Sequence, residues 1–416
     1  MKPAFEKICV IGLGYVGLPT AAVFASRGVQ VVGVDVNRQA VDLINNGRIH
    51  IVEPDLDIMV HAAVTAGTLR ATTSPEPADA FVIAVPTPFA AGHKPDISYV
   101  EAATVSLAPV LKKGDLVVLE STSPVGTTEA ICRWLAERRP DLSLPDTAGT
   151  AADIQVAHSP ERVLPGRVLL ELVTNDRVVG GMSPRCAERT AALYALAVSG
   201  KCLLTTARTA ELVKLAENAY RDVNIAFANE LSLVCDRLDI DVWKVVELAN
   251  HHPRVDILKP GPGVGGHCIA VDPWFIVDSA PDRTPLIQAA RQVNDGKPRF
   301  VADRVLAAAG RRADCRIACL GLAYKADIDD LRESPAVDIV RLLAERKAGT
   351  LLVVEPHVDE LPSDLAGRAD LRLASLEEAL ATADVVVLLV DHQAFRRIEP
   401  GRLAGKAVID TRGIWR

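Results

Sequence analysis

The sequence predicts an α/β protein: two doubly wound units joined by a long helical segment. Three observations carry this expectation. Apolar, strand-like runs alternate with helical stretches near both ends of the chain, the pattern of a parallel sheet covered on both faces. A glycine-rich turn, Gly12-Leu13-Gly14-Tyr15-Val16-Gly17, follows the first apolar run. A strong helical pattern extends from Thr209 to about Leu248.

The elements follow in order. KICVIGLG reads as a buried strand, GYVGLPTAAVFASRG as a turn and helix, and VQVVGVDVN as a second strand. The apolar stretch Ile8 to Ala25 is interrupted by Gly12, Gly14, Gly17 and Pro19, so it reads as strand, turn and helix and not as a signal peptide or membrane span. Further strands are expected at Ala80 to Val85, Leu116 to Glu120 and in IQVAHSPERV. Pro140 to Ala152 reads as a surface loop. The helical segment is apolar on two faces, as in a domain connector or a dimer interface buried on both. Its polar stripe is Glu211, Lys214, Asn218 and Arg221. His251 to Pro273 is a Gly- and Pro-rich loop. RIACLGLAY, TLLVVEP and DVVVLLVD then open a second, smaller α/β unit.

Composition narrows the function. The 416 residues suggest two or three domains. With 46 basic and 53 acidic residues the formal net charge is -7. No global field draws such a chain to nucleic acid or an anionic bilayer, so neither is expected as a partner. The 8 cysteines are scattered. None forms a CxxC pair, so no metal site is expected, and unpaired thiols fit the reducing cytoplasm.

Several segments carry chemistry. The turn Gly12 to Gly17 matches GxGxxG between a strand and a helix, with Asp35 ending the next strand. The glycines let the backbone approach a pyrophosphate, and Asp35 accepts from a ribose and repels a 2′-phosphate, favouring NAD over NADP. Gly261-Pro262-Gly263-Val264-Gly265-Gly266-His267-Cys268 sets one thiol behind a tight backbone, with Asp272 four residues on. Cys268 reads either as a nucleophile toward an aldehyde or as a small buried cysteine. Lys214 and Asn218 lie one helical turn apart and suit an oxyanion, although a lysine whose ammonium reaches solvent gives the same pattern. ESTSPVG, with Thr122, and HSPER, with Glu161 as a candidate base, end parallel strands, where ligands bind; ordinary turns would look alike. Lys325 and Arg332, after GLAYK, suit a phosphate or a solvated loop equally.

Six ordered segments together resemble the UDP-glucose/GDP-mannose dehydrogenase family: IGLGYVGLPTA, ESTSPVGTTE, SPERVLPG, ELVKLAENAYRDVNIAFANE, GPGVGGHCIAVDP and GLAYKADIDDLRESP. HHPRVDILKPGPGVGGHCIAVDPWF is most similar to the branch acting on UDP-N-acetylhexosamines. UDP-glucose-acting members often carry a second acid four residues after that of the SPE motif; here Pro165 stands there.

The resemblance implies two Rossmann-like domains, an NAD-binding one over 1–200 and a UDP-sugar-binding one over 306–416, joined by a helical domain over 201–305 that forms a homodimer. It implies NAD-dependent, four-electron oxidation at C6 of a UDP-sugar, feeding polysaccharide synthesis. UDP-N-acetyl-D-mannosamine comes first, then UDP-N-acetylglucosamine, UDP-glucose or UDP-galactose. Cys268 is then the nucleophile, with Lys214 and Asn218 on the oxyanion. Asp272 serves as acid/base or water-positioning group, and Thr122 and Glu161 belong to the water network. Gly12, Tyr15, Val16, Asp35, Arg38, Thr87 and Thr122 are the implied cofactor contacts. Glu161, Arg162, Lys214, Asn218, Arg221, His252, Arg254, Gly265, Lys325 and Arg332 are those to substrate. A two-electron sugar-acid dehydrogenase and a non-catalytic NAD-binding protein are the rival readings; neither needs Lys214, Asn218, Cys268 and Asp272 together.

Overall fold

The computed structural model describes residues 5–164, 166–266, 268–310, 312 and 314–416. Pro165 and His267, which belong to two of the motifs above, lie outside the described residues. The chain divides into two compact units, the first running to Glu217 with Trp274–Ser279 added, the second comprising Asn218–Pro273 and Ala280–Arg416.

In the first unit the strands are β1 (Lys7–Ile11), β2 (Gln30–Val34), β3 (Leu69–Thr72), β4 (Ala80–Ile83), β5 (Leu116–Leu119), β6 (Gln155–His158), β7 (Arg177–Gly181) and β8 (Cys202–Thr206). They form one sheet in the order β3-β2-β1-β4-β5-β6-β7-β8. All neighbours are parallel except β6 and β7. The order reverses between β1 and β4, the switch point where ligands bind in such sheets. Register aligns Ile11 with Val34 and Ile83, Ile83 with Leu119, and Leu119 with His158. Gly12, Asp35, Glu120 and Ser159 therefore all leave the same carboxyl edge. Alternate residues face opposite layers: Ile8, Val10 and Val118 pack with Leu18 and Phe24, while Cys9, Ile11 and Val117 pack with Leu107 and Ile131.

The segment 140–152 is more ordered than its composition predicts. It holds a helical turn, Pro145–Ala148, and a 3-10 turn, Gly149–Ala151, because Leu142 and Leu144 are buried and Asp153 accepts from the Ser143 amide and hydroxyl.

The long helix is Ala207–Leu238. It stops ten residues earlier than the pattern suggests. Asp239 takes a left-handed conformation, φ 55, and the Ile240 amide reaches back to the Cys235 carbonyl, a C-terminal cap of Schellman type. Asp241 then caps a new helix, Val242–Ala249, accepting from the Trp243 amide at 3.0 Å. Within one chain the long helix buries one apolar face and exposes the other: Ala219, Ala226 and Cys235 are buried, whereas Tyr220 is 70% and Phe227 56% exposed. The Gly- and Pro-rich loop ends where the helix Asp272–Ser279 begins.

In the second unit β9 (Arg316–Leu320), β10 (Thr350–Val354), β11 (Leu371–Leu373), β12 (Val385–Leu388) and β13 (Ala407–Asp410) form an all-parallel sheet in the order β11-β10-β9-β12-β13. Its core packs Val301, Val305, Ile339 and Leu343 on Ile317, Leu351 and Val387. The helix Pro285–Ala309 joins the long helix through a buried polar network. Arg291 donates to Asp222 at 2.7 Å, Asn294 to Asp222 at 2.8 Å and Asn229 to Asn294 at 2.8 Å. Asn229 also accepts from the Gly261 amide at 2.8 Å, anchoring the loop that leads to Cys268. Burial holds the Asp222 carboxyl above its usual range despite Arg291.

Removing one member of a buried ion pair costs about 3–5 kcal/mol. Arg291→Met should lower the melting temperature, and more at pH 8 than at pH 5, because a stranded Asp222 carboxyl folds more easily protonated. Adding Asp222→Leu should recover most of the loss; a double variant as unstable as the single one would show that the pair is not the cause.

Candidate active site

Gly12 leaves β1 with φ +91, and its amide donates to the Val34 carbonyl at 2.8 Å. A Cβ there would lie 2.5 Å from the Ala84 carbonyl oxygen, and one on Gly17 would lie 1.8 Å from that of Gly12. A Cβ on Gly14 would meet nothing within 4 Å, so open space lies before the helix Gly17–Ser26. Asp35 is half-buried and accepts from the Leu13 amide at 2.9 Å and the Asn37 amide at 2.8 Å. Tyr15 and Arg38 are exposed and Val16 half-buried around this turn. Thr87, after β4, donates its hydroxyl to the Thr122 carbonyl, after β5, at 2.5 Å. Two expected cofactor contacts are thus tied to each other.

Charge is buried behind this edge. Glu120, directly after β5, accepts from Thr20 at 3.0 Å, Tyr194 at 3.1 Å and Arg177 at 3.1 Å. The second amino group of Arg177 donates to Glu161. Burial, with Glu161 adding to it and Arg177 opposing, pushes the Glu120 carboxyl up to about 7. His158 is fully buried with neither ring nitrogen hydrogen-bonded; burial, helped by the Lys214 charge, pushes it down to about 3 and keeps it neutral. Arg162 pairs with Glu217 at 2.7 Å, both on this unit. Two further acids clasp the loop around the SPE motif: Glu53 accepts from the Gly166 and Val168 amides at 2.9 and 2.8 Å, and Glu171 from the Leu164 amide at 2.8 Å. Glu211, first of the polar stripe, is not at a ligand surface. It is buried and caps the helix Thr127–Arg138 through the Gly126 and Thr128 amides at 2.7 and 2.8 Å.

The second unit gathers Cys268, Asp272 and Asn218. The Cys268 carbonyl accepts from the Val271 amide at 3.1 Å and the Asp272 amide at 2.9 Å. Asn218 donates to the Asp272 carboxylate at 2.6 Å, with both side chains buried. Cys268 itself is half-buried. The glycines before it pack against the Tyr324–Pro335 loop. A Cβ on Gly265 would lie 2.5 Å from the Glu333 carbonyl oxygen, and the Gly266 amide donates to the Arg332 carbonyl at 3.2 Å. Lys325 and Arg332 are exposed on that loop, Arg332 pairing with Asp330 at 2.6 Å. Arg221, His252 and Arg254 are exposed. Lys214, Glu161, Arg162 and Thr122 belong to the first unit.

The sequence reading did not single out Glu120, Arg177, Tyr194, Glu53 or Glu355. Glu120 had a signal, an acid closing an apolar strand; Arg177 had none. Asp327, His357 and His392 bring ligand-type atoms within 4.8 Å of one another. Of these, His392 is hydrogen-bonded on both ring nitrogens: Nδ1 accepts from the Asp327 amide at 2.9 Å, and Nε2 lies 3.1 Å from Glu355.

A carboxyl whose value rises on folding stabilises most while protonated. For Glu120, raised from 4.5 to about 7, that stability is complete below pH 4.5 and is lost as pH rises toward 7. Glu120→Gln should flatten this part of the stability-against-pH curve in denaturant titrations; equal slopes for wild type and variant would contradict the assignment.

The chain matches the UDP-glucose/GDP-mannose dehydrogenase family throughout: the NAD binding domain over residues 6–198, the central domain over 208–296 and the UDP binding domain over 318–416. A UDP-N-acetyl-D-mannosamine dehydrogenase of Yersinia pestis is 60% identical over 421 residues, 99% of this chain and 100% of the relative. An NDP-N-acetyl-D-galactosaminuronic acid dehydrogenase of Ralstonia solanacearum is 62% identical over 411 residues, 99% of this chain and 96% of the relative. The structure of a UDP-D-ManNAc dehydrogenase from Pyrococcus horikoshii superposes with a TM-score of 0.88 at 39% identity, covering 98% of this chain and 96% of that one. The residues fit the cofactor these matches imply: the space at Gly14 suits a pyrophosphate, and Asp35 suits a ribose diol. The chain belongs to the UDP-glucose/GDP-mannose dehydrogenase family, and NAD is its cofactor.

Proposed function

We propose that this NAD-dependent nucleotide-sugar dehydrogenase oxidises C6 of UDP-N-acetyl-D-mannosamine to the uronate, removing four electrons. Support for the sugar comes from the Yersinia pestis and Pyrococcus horikoshii proteins, whose names carry it, and from the segment His251 to Phe275. The observation that carries the chemistry is the Asn218–Asp272 hydrogen bond beside the backbone of Cys268.

NAD, when bound, accepts a hydride at each of the two oxidations; Gly12, Tyr15, Val16, Asp35, Arg38, Thr87 and Thr122 are the residues that hold it. The chain's own groups do the rest. The Cys268 thiolate adds to the C6 aldehyde, forming a C–S bond and placing negative charge on oxygen. Lys214 and Asn218 donate to that oxygen. Asp272 fixes the Asn218 amide, so one of its N–H bonds is already spoken for and the other is aimed. Loss of the remaining C6 hydride from that oxyanion gives the thioester; water then attacks its carbon, Glu161 takes the water's proton with Thr122 in the same network, and the thiolate leaves. Lys325 and Arg332 hold the diphosphate. Arg162, Arg221, His252, Arg254 and Gly265 complete the substrate site.

Two copies pair through the long helix, whose exposed Tyr220, Phe227, Val234 and Leu238 are otherwise left in water. The enzyme works in the cytoplasm: its 8 cysteines are in no disulfide, and among the described residues no helix is long and apolar enough to cross a membrane. Its product supplies polysaccharide synthesis.

With excess NAD and limiting nucleotide sugar, absorbance should reach two NADH per UDP-N-acetyl-D-mannosamine and little with the glucose, galactose, N-acetylglucosamine or N-acetylgalactosamine analogues. One NADH per sugar would remove the thioester, and turnover confined to another sugar would replace the substrate but not the mechanism. Lys214→Ala should keep nucleotide-sugar binding and lose roughly 10²–10³-fold in turnover, the usual cost of one oxyanion donor; near-normal turnover would take Lys214 out of the site.

A further inference from the structure

Arg177 and Glu120 are not used by the mechanism above. Arg177 opens β7 and is 4% exposed. Its two terminal amino groups are held by Glu120 at 3.1 Å, Ser159 at 3.5 Å and Glu161, and the Tyr194 ring lies 4.1 Å from its central carbon, while its buried Nε meets no hydrogen-bond partner. Glu120 is held in turn by Thr20 and Tyr194. The titratable groups facing the cation are thus Glu120, Glu161 and Tyr194, with Cys202 on β8 also within reach of its charge.

Two carboxylates on one buried cation leave an excess negative charge. Glu120 and Arg177 are buried away from solvent that would screen it, so the cluster favours holding one proton. Glu120 is the deeper carboxyl, and burial there favours the acid. Glu161 sits nearer solvent, at 8% exposure, and its other oxygen accepts from the Arg162 amide at 2.7 Å. The ion pair and this amide bond leave its carboxylate little rotational freedom.

We propose that Arg177 is a positioning residue: clamped by Glu120, it holds the Glu161 carboxylate in the orientation from which it takes the proton of the water that hydrolyses the thioester. This rests on the role given to Glu161 above. Arg177 acts through Glu161.

The test is rapid mixing of the full-length enzyme with NAD and UDP-N-acetyl-D-mannosamine, together with kcat and KM against pH. Arg177→Gln should retain a burst of two NADH per site and lower steady-state kcat about 10–100-fold. KM for the nucleotide sugar should fall along with kcat, leaving kcat/KM within about threefold, because the steps before the thioester are untouched. The pH profile of kcat should change, because the cation beside the proposed base is gone. Arg177→Lys should restore the profile and most of kcat. Should Arg177→Gln fail to fold, Arg177→Gln with Glu120→Gln removes the cation together with the acid that clamps it and should show the same burst and changed profile.

A folded variant with unchanged kcat and pH profile overturns the proposal, as does one that loses the burst along with turnover. Glu161→Gln separates the two readings. A slow variant with an intact burst supports Glu161 as the base whatever Arg177 does, and wild-type turnover removes Glu161 and the role of Arg177 together.

Discussion

Both sheets depend on one contact at the end of their first strand. In the first unit the Gly12 amide bonds the Val34 carbonyl, and the next amide, Leu13, bonds the Asp35 carboxylate. In the second unit the Gly321 amide bonds the Val354 carbonyl, and the Leu322 amide bonds the Glu355 carboxylate at 2.7 Å. Each turn needs positive φ, +91 and +98, and admits no side chain. The amides are at the sheet's edge in an apolar setting, where an unpaired donor is costly. An acid one residue past the second strand satisfies them with a charge-assisted bond. That requirement fixes the glycine, the acid and the strand lengths together.

The two acids then diverge. Asp35 remains half-buried, with room for a ribose. Glu355 is buried and accepts from the Ala323 amide at 3.0 Å, the His357 amide at 3.1 Å and His392 at 3.1 Å. Burial alone would raise it, but the bonds from His392 and Leu322 outweigh burial and hold it below the usual range. Because His392 Nδ1 accepts from the Asp327 amide, its proton sits on Nε2, aimed at Glu355. The acid proposed to meet a ribose in one sheet has a counterpart that is spent, in the other, on holding the loop that carries Lys325 and Arg332. Like topology therefore does not give like ligands.

What the sequence made legible follows from the same physics. Strands buried on both faces, such as VVVL in β12 and AFVI in β4, are continuous apolar runs and stand out. Edge strands do not: β11 is three residues with one arginine, and β13 is half exposed. The antiparallel pairing of β7 with β6 has no local signature. The break at Asp239 was hidden because apolar periodicity continues through it, while one left-handed residue and one cap decide the matter. Cys268, Lys214 and Asn218 stood out as candidates because the glycines before the thiol and the one-turn spacing of the other two are local in sequence. Arg177 and Glu53 were not, because each meets its partners only in space, 16 residues and over a hundred residues away in sequence.

The proposed nucleophile is one thiol among eight, and burial and backbone geometry set it apart. Burial pushes Cys9 up to about 11 and Cys319 up to about 12, and raises Cys132 further still. Such thiols do not ionise at neutral pH and fill space. Cys202 is only partly buried but sits on the edge strand β8, away from any motif. Cys268 is also half-buried, and its neighbours in sequence are what distinguish it. The glycines before it bring the backbone against the Tyr324–Pro335 loop where a side chain would collide. The turn after it closes on its own carbonyl through the Asp272 amide, and the Asp272 side chain takes hold of Asn218. Five residues thus present a thiol and orient an amide in one backbone turn. A thiol elsewhere, however acidic, would lack a donor placed for the charge it creates.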